Sequence, residues 1–541
     1  MISGARQAEP NWFHRVVARA MARQLNAFVV PGPDVAGSLG LSVAAAGLRI
    51  VDTPRHAAVL LLVGELPEGL REAAAVAYAQ MMRPRAILAA GTSEASPLPE
   101  PDVTTALDQE ALEAGVEGLR RAFARGAFAP EVETFEPEVV QESGDGEEEM
   151  HHDHGHMNHD HGHMHHDPGE AEEEPGEDDE AREEVSGEKE IGEDQLENFM
   201  SMMEMTEGMP ASGDGLIMEW VPAPYGPLFP GLPGGLSLNF TLDGDTVAET
   251  EVEPGIRGHS PAALLRGPAG TLAERAAKLD PLSPVAYQML ARRAIDSVAG
   301  SEIGDEEARS RIGALERERA ASHLGWVANF GILIGYGSLS RRAASLQLAL
   351  LRAEDLGEIG RVAGAGEKFV RQALRTPLLE SKLGGIGVWD VTPEGGVENG
   401  AGPVARAAGF GADARHEEPA YRKLGFSPTV RTGNDALTRF RLRLEEILQS
   451  LNLVLEAGSV TPTGSLSGGR ISGAGAATVE TPRGTAFLEV TLEAGTVTGV
   501  ELHTPSMRNV RLVEAVTVGR EVADALVGAG SLDLSPWEMS G

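Results

Sequence analysis

Two folded parts of different class are expected from this sequence: an α/β N-terminal domain with a small parallel sheet, and a mainly α (α+β) C-terminal domain, joined by a disordered acidic linker. Three observations predict them. Short apolar runs alternate with helical periodicity over residues 10–128. Periodicity fails over 129–212, where Glu, Asp, His, Gly and Pro dominate. From 213 to 541, long Ala/Leu/Arg/Glu segments with helical spacing lie between two strand-rich stretches. At 541 residues the chain is also well beyond one domain of ~100–200 residues.

The first segment, "NWFHRVVARAMARQL" (11–25), places Phe13, Val16, Val17, Ala20, Met21 and Leu25 on one helical face, with Asn11 as a cap. "AFVV" (27–30) and "AAVLLLVG" (57–64) read as short buried strands. "LPEGLREAAAVAYAQMM" reads as a helix and "RAILAAG" (85–91) as the next strand. That succession is a βαβ unit and implies a parallel sheet. "DQEALEAGVEGLRRAFARG" closes the domain as a helix.

The middle segment is unlike either flank. Residues 131–200 hold 27 acidic and 2 basic residues, most of the chain's net charge of −37. Such a segment cannot bury enough apolar surface to offset its chain entropy and is expected to be disordered. Within it lies "MHHDHGHMNHDHGHMHHD" (150–167), which carries His151, His152, His154, His156, His159, His161, His163, His165 and His166. Imidazoles spaced by one or two residues can bind a divalent metal, but a disordered array fixes neither coordination number nor geometry. The expectation is a loosely bound divalent metal or a solubilising spacer. Five methionines between Met200 and Met209 end the segment.

Order returns at "GGLSLNFTLDGDTVAETEVEPG" (234–255), whose two alternating runs read as a β-hairpin turning at Asp243–Gly244. Residues 260–450 are mainly helical, including "EEARSRIGALERERAASHLGWVANFGILIGYG" and "NDALTRFRLRLEEILQSLNLVLEAG". "TAFLEVTLEAGTVTGVELHTP" (485–505) returns to strands, followed by a helix and "SLDLSPWEMSG".

Composition excludes several chemistries. The chain has no cysteine, which removes disulfides, thiolate nucleophiles, thiolate zinc sites and cysteine-held iron–sulfur or nickel–iron centres. The folded parts are mildly acidic and offer no basic surface for nucleic acid. No apolar run approaches the ~20 residues of a membrane span, and no secretory signal is read at the start. No G-x-G-x-x-G loop follows a strand, which weighs against an NAD(P)H site.

Three stretches of the second half, "MEWVPAPYGPLFPGLPGGLSLNFTLDGDTVAETEVEPG", "KLDPLSPVAYQMLARRAI" and "ALERERAASHLGW", occur in the order of one family's opening motifs. They resemble the quinone-site (49 kDa-type) large subunit of respiratory complex I, homologous to the nickel–iron hydrogenase large subunit. "ETPRGTAFLEV" and "HTPSMRNVRLVEAVTVGREVADALVGAGSLDLSPWEM" resemble its closing motifs. "TPRHAAVLLLVGELPEGLREAAAVAYAQMMRPRAILAAGTSEA" (53–95) is similar to the small (20 kDa-type) iron–sulfur subunit. The resemblance implies a fusion of the two: a small-subunit-like α/β domain over 10–128, the linker over 129–212, and a hydrogenase-large-subunit-like domain over 213–541.

The same resemblance implies where chemistry has been lost. After the strand ending at Gly91, where the family has cluster-ligating cysteines, the chain reads Thr92, Ser93 and Glu94. In the quinone loop "GPLFPGLPGG", Phe229 and Pro233 stand at the two histidine positions, and Pro281 stands at the tyrosine position of "LDPLSP". Leu333 replaces a coupling acid. No iron–sulfur and no nickel–iron cofactor is expected. Glu316, Arg319 and His323, spaced i, i+3, i+7, share one helical face and form a candidate charged network, either proton-linked or structural. His259 in "GIRGHSP" is a candidate cavity residue, either functional or simply hydrogen-bonded.

The function this implies is a peripheral-arm subunit of a membrane-associated complex I/hydrogenase-like assembly. It is expected to be redox-degenerate, cytoplasmic on the inner face of the cell membrane, and to act as a scaffold or conformational coupler on antiporter-like integral-membrane subunits. An NAD(P)H- or quinone-linked oxidoreductase subunit is the alternative. A metal-binding protein built on the His-rich segment is the second.

Overall fold

The computed structural model describes residue 16 and residues 22–125, 220–301, 303–392, 399–460 and 471–541. The expected linker with its nine histidines, and most of the expected first helix, lie outside the described residues.

β1 (Leu25–Val30), β2 (Leu48–Ile50), β3 (Val59–Val63), β4 (Ala86–Ala90) and β5 (Val103–Thr105) form one sheet in the order β2-β1-β3-β4-β5. Every pairing is parallel. β3 and β4 are buried at all positions, so both faces of the sheet need cover. One face, with Val59, Leu61 and Leu88, packs on the helix Gln109–Arg125. The other, with Leu60, Leu62 and Ile87, packs on the helix Glu68–Gln80 and also on Ile256 and Trp537. The second face of the α/β sheet is thus completed by the far end of the chain.

Leu25 corrects one expectation. It opens β1 opposite Leu48 instead of closing the first helix. Helical spacing that runs directly into a strand cannot locate the boundary between them, and pairing with β2 decides it. β2 and β5 were not anticipated: each is three residues long and lies at a sheet edge, too short to show a period.

In the second part, β6 (Val221–Tyr225), β7 (Ser237–Asp243) and β8 (Thr246–Glu253) form an antiparallel sheet. Asp243 pairs with Thr246, so the hairpin turns at Gly244–Asp245, one residue later than expected. The prolines of β6 hid that edge strand, where they are tolerated. The helical body consists mainly of α1 (Pro284–Ala299), α2 (Asp305–Leu333), α3 (Gly337–Arg352), α4 (Leu356–Ala373) and α5 (Ala436–Ala457). β9 (Gly473–Thr481), β10 (Gly484–Glu493) and β11 (Thr496–His503) pair antiparallel beside it, and α6 (Val522–Ser531) follows.

α2 is the axis of this body. It is 29 residues long and buried on all sides over most of its length, including Arg311, Glu316, Glu318, Arg319 and His323. A helix enclosed all round is normally apolar, so each charge on it needs a buried partner. No helix among the described residues is long and apolar enough to cross a membrane.

Candidate functional site

α2 and α5 bring charged side chains together along their contact. Glu316 receives Arg319 Nε at 3.2 Å, Arg415 Nη1 at 3.2 Å, the Tyr421 hydroxyl at 2.7 Å and the Ser450 hydroxyl at 2.7 Å. Arg319 also donates to the carbonyls of Thr481 at 2.7 Å and Glu480 at 2.6 Å. Burial alone would raise the Glu316 carboxyl, but Arg319 and Arg415 beside it hold it below its usual value.

His323 does not join Glu316. Its Nε2 lies 2.9 Å from Glu446 of α5. Glu446 in turn meets Arg406 at 2.8 Å, and Arg406 meets Glu480 at 2.8 Å and Asp413 at 3.0 Å. Asp413 pairs with Arg415 at 2.7 Å, which closes the circuit. The arginines hold Glu446 well below its ordinary value, against the effect of burial, and Asp413 at about 2. Burial lowers His323, against the pull of Glu446. The three residues expected on one helical face are therefore all in the network, but its closure depends on Arg406, Asp413, Arg415, Glu446 and Glu480.

A second buried set continues from it. Arg483 reaches Asp280 at 3.2 Å and Asp533 at 3.4 Å, and Asp533 lies 3.6 Å from Arg443, whose guanidinium covers the Trp326 ring at 4.3 Å. Asp280 accepts from the Ser535 hydroxyl at 3.1 Å. Burial raises the Asp280 carboxyl despite Arg483, and raises Glu538 to about 7.

The loop over 226–235, expected from the resemblance to be a degenerate quinone loop, lies where the two parts of the chain meet. Gly231 has φ +86°, and a Cβ there would come within 2.6 Å of the Leu333 amide nitrogen. A Cβ on Gly234 would come within 2.5 Å of the Pro31 carbonyl oxygen. The Gly234 N–H donates to Asp34 at 3.2 Å. The loop thus fills the crevice outside the carboxyl end of β1, where open parallel sheets of this strand order commonly bind ligands.

Two small cavities remain there. One of about 20 Å³ is lined by Pro233 with Asp34, Trp326, Arg483 and Asp533. One of about 40 Å³ is lined by Phe229 with Phe28, Ile50, Asp52 and Ile332. A volume of ~20 Å³ is room for about one water. Neither cavity admits a quinone ring, and Phe229, Pro233 and Pro281 supply no side-chain hydrogen-bond donor.

Thr92 donates to the Gly64 carbonyl at 2.7 Å, and the Ser93 hydroxyl donates to Glu65 at 2.8 Å. These contacts tie the loops after β3 and β4 together. A hydroxyl and carboxylate set of this kind does not suit an iron–sulfur cluster, which thiolates normally hold. His259 Nε2 lies 2.8 Å from the Trp537 carbonyl, which only an N–H can satisfy, and its ring meets Trp537 edge-on at 5.4 Å. It anchors the chain's last turn, while burial lowers its pKa. Among the described residues, no group of three or more His, Asp or Glu is placed to hold a metal ion.

One missed signal was available. Arg439, Arg443 and Glu446 stand at i, i+4 and i+7 on the face of α5 that also carries Phe440, Leu444, Ile447 and Leu451. Charges repeating along an apolar face mark a buried network. Arg406, Asp413 and Arg415 lie on short helices and loops with no such pattern.

Comparison with known proteins adds to this geometry. Residues 366–472 match the family model "Respiratory-chain NADH dehydrogenase, 49 Kd subunit". The D-type subunit of NADH-quinone oxidoreductase from Desulfotalea psychrophila is 28% identical over 351 residues, 57% of this chain and 94% of that protein. The alpha subunit of the membrane-bound hydrogenase from Pyrococcus furiosus is 26% identical over 374 residues, 58% of this chain and 86% of that protein. A chain in the structure of the membrane-bound sulfane sulfur reductase, an archaeal respiratory membrane complex, shares the fold with a TM-score of 0.53. It is 22% identical, and the match covers 60% of this chain and 98% of that one. The mainly helical C-terminal part is therefore similar to the D-type subunit of NADH-quinone oxidoreductase and to the alpha subunit of the membrane-bound hydrogenase.

Proposed function

We propose that the chain is a peripheral-arm subunit of a complex I-like membrane assembly that has lost its own redox chemistry and acts as a scaffold or conformational coupler. Its α/β part takes the place of the family's small iron–sulfur subunit, fused in one chain so that the two parts dock at high effective concentration. Its partners are ion-translocating integral-membrane subunits, and it sits on the cytoplasmic face of the membrane. It carries no iron–sulfur cluster and no nickel–iron centre. Metal binding by the nine histidines is an accessory property of the linker.

One observation carries this reading. The place where the family would hold a quinone headgroup is reduced to a cavity of about 20 Å³ at Pro233, while the fold around it is kept. The buried circuit through Glu316, Arg415, Asp413, Arg406 and Glu446 fits a rigid transmitter, because each of these charges is held by at least two buried partners.

Metal and sulfide analysis of the purified full chain, combined with titration by a short-chain quinone, tests the proposal. It expects substoichiometric iron and sulfide and no quinone-dependent thermal shift. Stoichiometric iron and sulfide, or saturable quinone binding, would overturn it.

A further inference from the structure

The cavity beside Pro233 is polar on several sides. Asp34 Oδ1, Arg483 Nε and Asp533 Oδ2 are each shielded from solvent and find no hydrogen-bond partner among the described residues, and all three side chains line the cavity. Arg483 and Asp533 are each only 3% exposed. Asp533 also takes a left-handed backbone, φ +58°, a conformation that a non-glycine residue keeps only when its surroundings hold it there.

We infer that the cavity between Asp34, Arg483 and Asp533 is a binding site for one internal water that joins the α/β part of the chain to the helical part. A volume of about 20 Å³ admits one water and little else. The ion pairs of Arg483 with Asp533 at 3.4 Å and of Asp533 with Arg443 at 3.6 Å leave Arg483 Nε and Asp533 Oδ2 without a hydrogen bond, so that with Asp34 Oδ1 they give the water three partners, within the two to four a buried water needs. An anion is excluded by the two carboxylates facing the site, and a cation by the Arg483 guanidinium against it.

Charge placement decides which carboxylate takes up a proton. Asp533 lies between Arg443 and Arg483. Asp34 has no arginine within ion-pair distance among the described residues, and its other oxygen is already taken by the Gly234 amide. The elements packed around the short helix that carries Asp34 are α2, through Ser322, Gly325, Trp326 and Asn329, α3, whose Gln347 donates to Ser38, and the loop at Gly234. Arg483 and Asp533 are the charged side chains they share the cavity with, and Asp280 and Arg443 stand behind those two. Asp34 is therefore the group that enters the contact as a neutral acid, donating through Oδ1 to the water while Oδ2 accepts from Gly234. Burial, the largest influence on it, raises its pKa in the same sense. The docking of the two parts is then proton-linked.

A high-resolution crystal structure of the full chain, from crystals soaked separately in bromide and in caesium, tests the site. One peak within hydrogen-bond distance of Asp34, Arg483 and Asp533, without anomalous signal in either soak, supports it. An anomalous peak there, or no peak, overturns it. Hydrogen exchange of the amides over 229–235 tests the proton. After correction for intrinsic rates, protection should fall as pH rises above 3.8, about tenfold for every unit by which docking raises the Asp34 pKa, and should stay level in Asp34→Asn. The same pH dependence in the parent and in Asp34→Asn overturns the proton linkage.

Discussion

Glu316 and Arg415, 99 residues apart in sequence, face each other at 3.2 Å with neither side chain more than 1% exposed. Glu316→Ala should therefore take the carboxylate partner from buried Arg319 and one of two from Arg415, at a cost of ~3–5 kcal/mol. Replacing Glu316 by Leu and Arg415 by Met together should cost less than the sum of the two single changes. A urea-denaturation double-mutant cycle measures the coupling. Additive single effects would show that the pair is not linked.

His323 supplies a pH dependence with a definite sign. Burial keeps its imidazole neutral in the folded chain, so unfolding lets it take up a proton below its ordinary value of 6.5. Its contribution to stability is full above pH 6.5 and falls as pH drops through the lowered folded value. His323→Gln should flatten that part of the stability profile, read as the difference between the two denaturation profiles below pH 6.5. Nitrogen-15 NMR of the imidazole at neutral pH should show the Nε2–H tautomer facing Glu446.

Glu318 gives the opposite slope. Its carboxylate receives the backbone amides of Val285 at 2.5 Å and Ala286 at 2.7 Å, in the first turn of α1. Burial nevertheless raises it to about 8, outweighing those two amides. Stability tied to it is full below pH 4.5 and is lost as pH rises towards 8. Glu318→Gln should remove that loss, read as the difference between the two melting profiles over this range.

Leu378 is 72% exposed and holds φ +60°, a left-handed backbone that costs a branched side chain about 1 kcal/mol. Its position is set by its neighbours: the Tyr336 hydroxyl donates to the Pro377 carbonyl at 2.8 Å, and Leu379 is buried. Leu378→Gly should stabilise the chain by about 1 kcal/mol in chemical denaturation. A loss of stability would show that the exposed leucine makes contacts of its own.

The β3–helix–β4 unit and the two long helices were legible because each carries a full period of its pattern over many residues. β2, β5 and β6 were not, since three residues or a pair of prolines leave no period to read. Glu316, Arg319 and His323 were legible as a helical face, and the structure buries all three. Their partners were not, because Arg406, Asp413 and Arg415 lie some 80 to 100 residues away on short elements, and only the tertiary fold brings them back. Asp34 was invisible for the same reason: its partner Gly234 lies 200 residues further on.

On the function proposed above, this fold has been kept for assembly on a membrane complex. Affinity purification of the tagged full chain from native membranes in mild detergent, with quantitative mass spectrometry of whatever co-purifies, tests it most directly. Stoichiometric recovery of multi-span, ion-translocating membrane subunits is expected. Recovery of the chain free of any integral-membrane protein would contradict it.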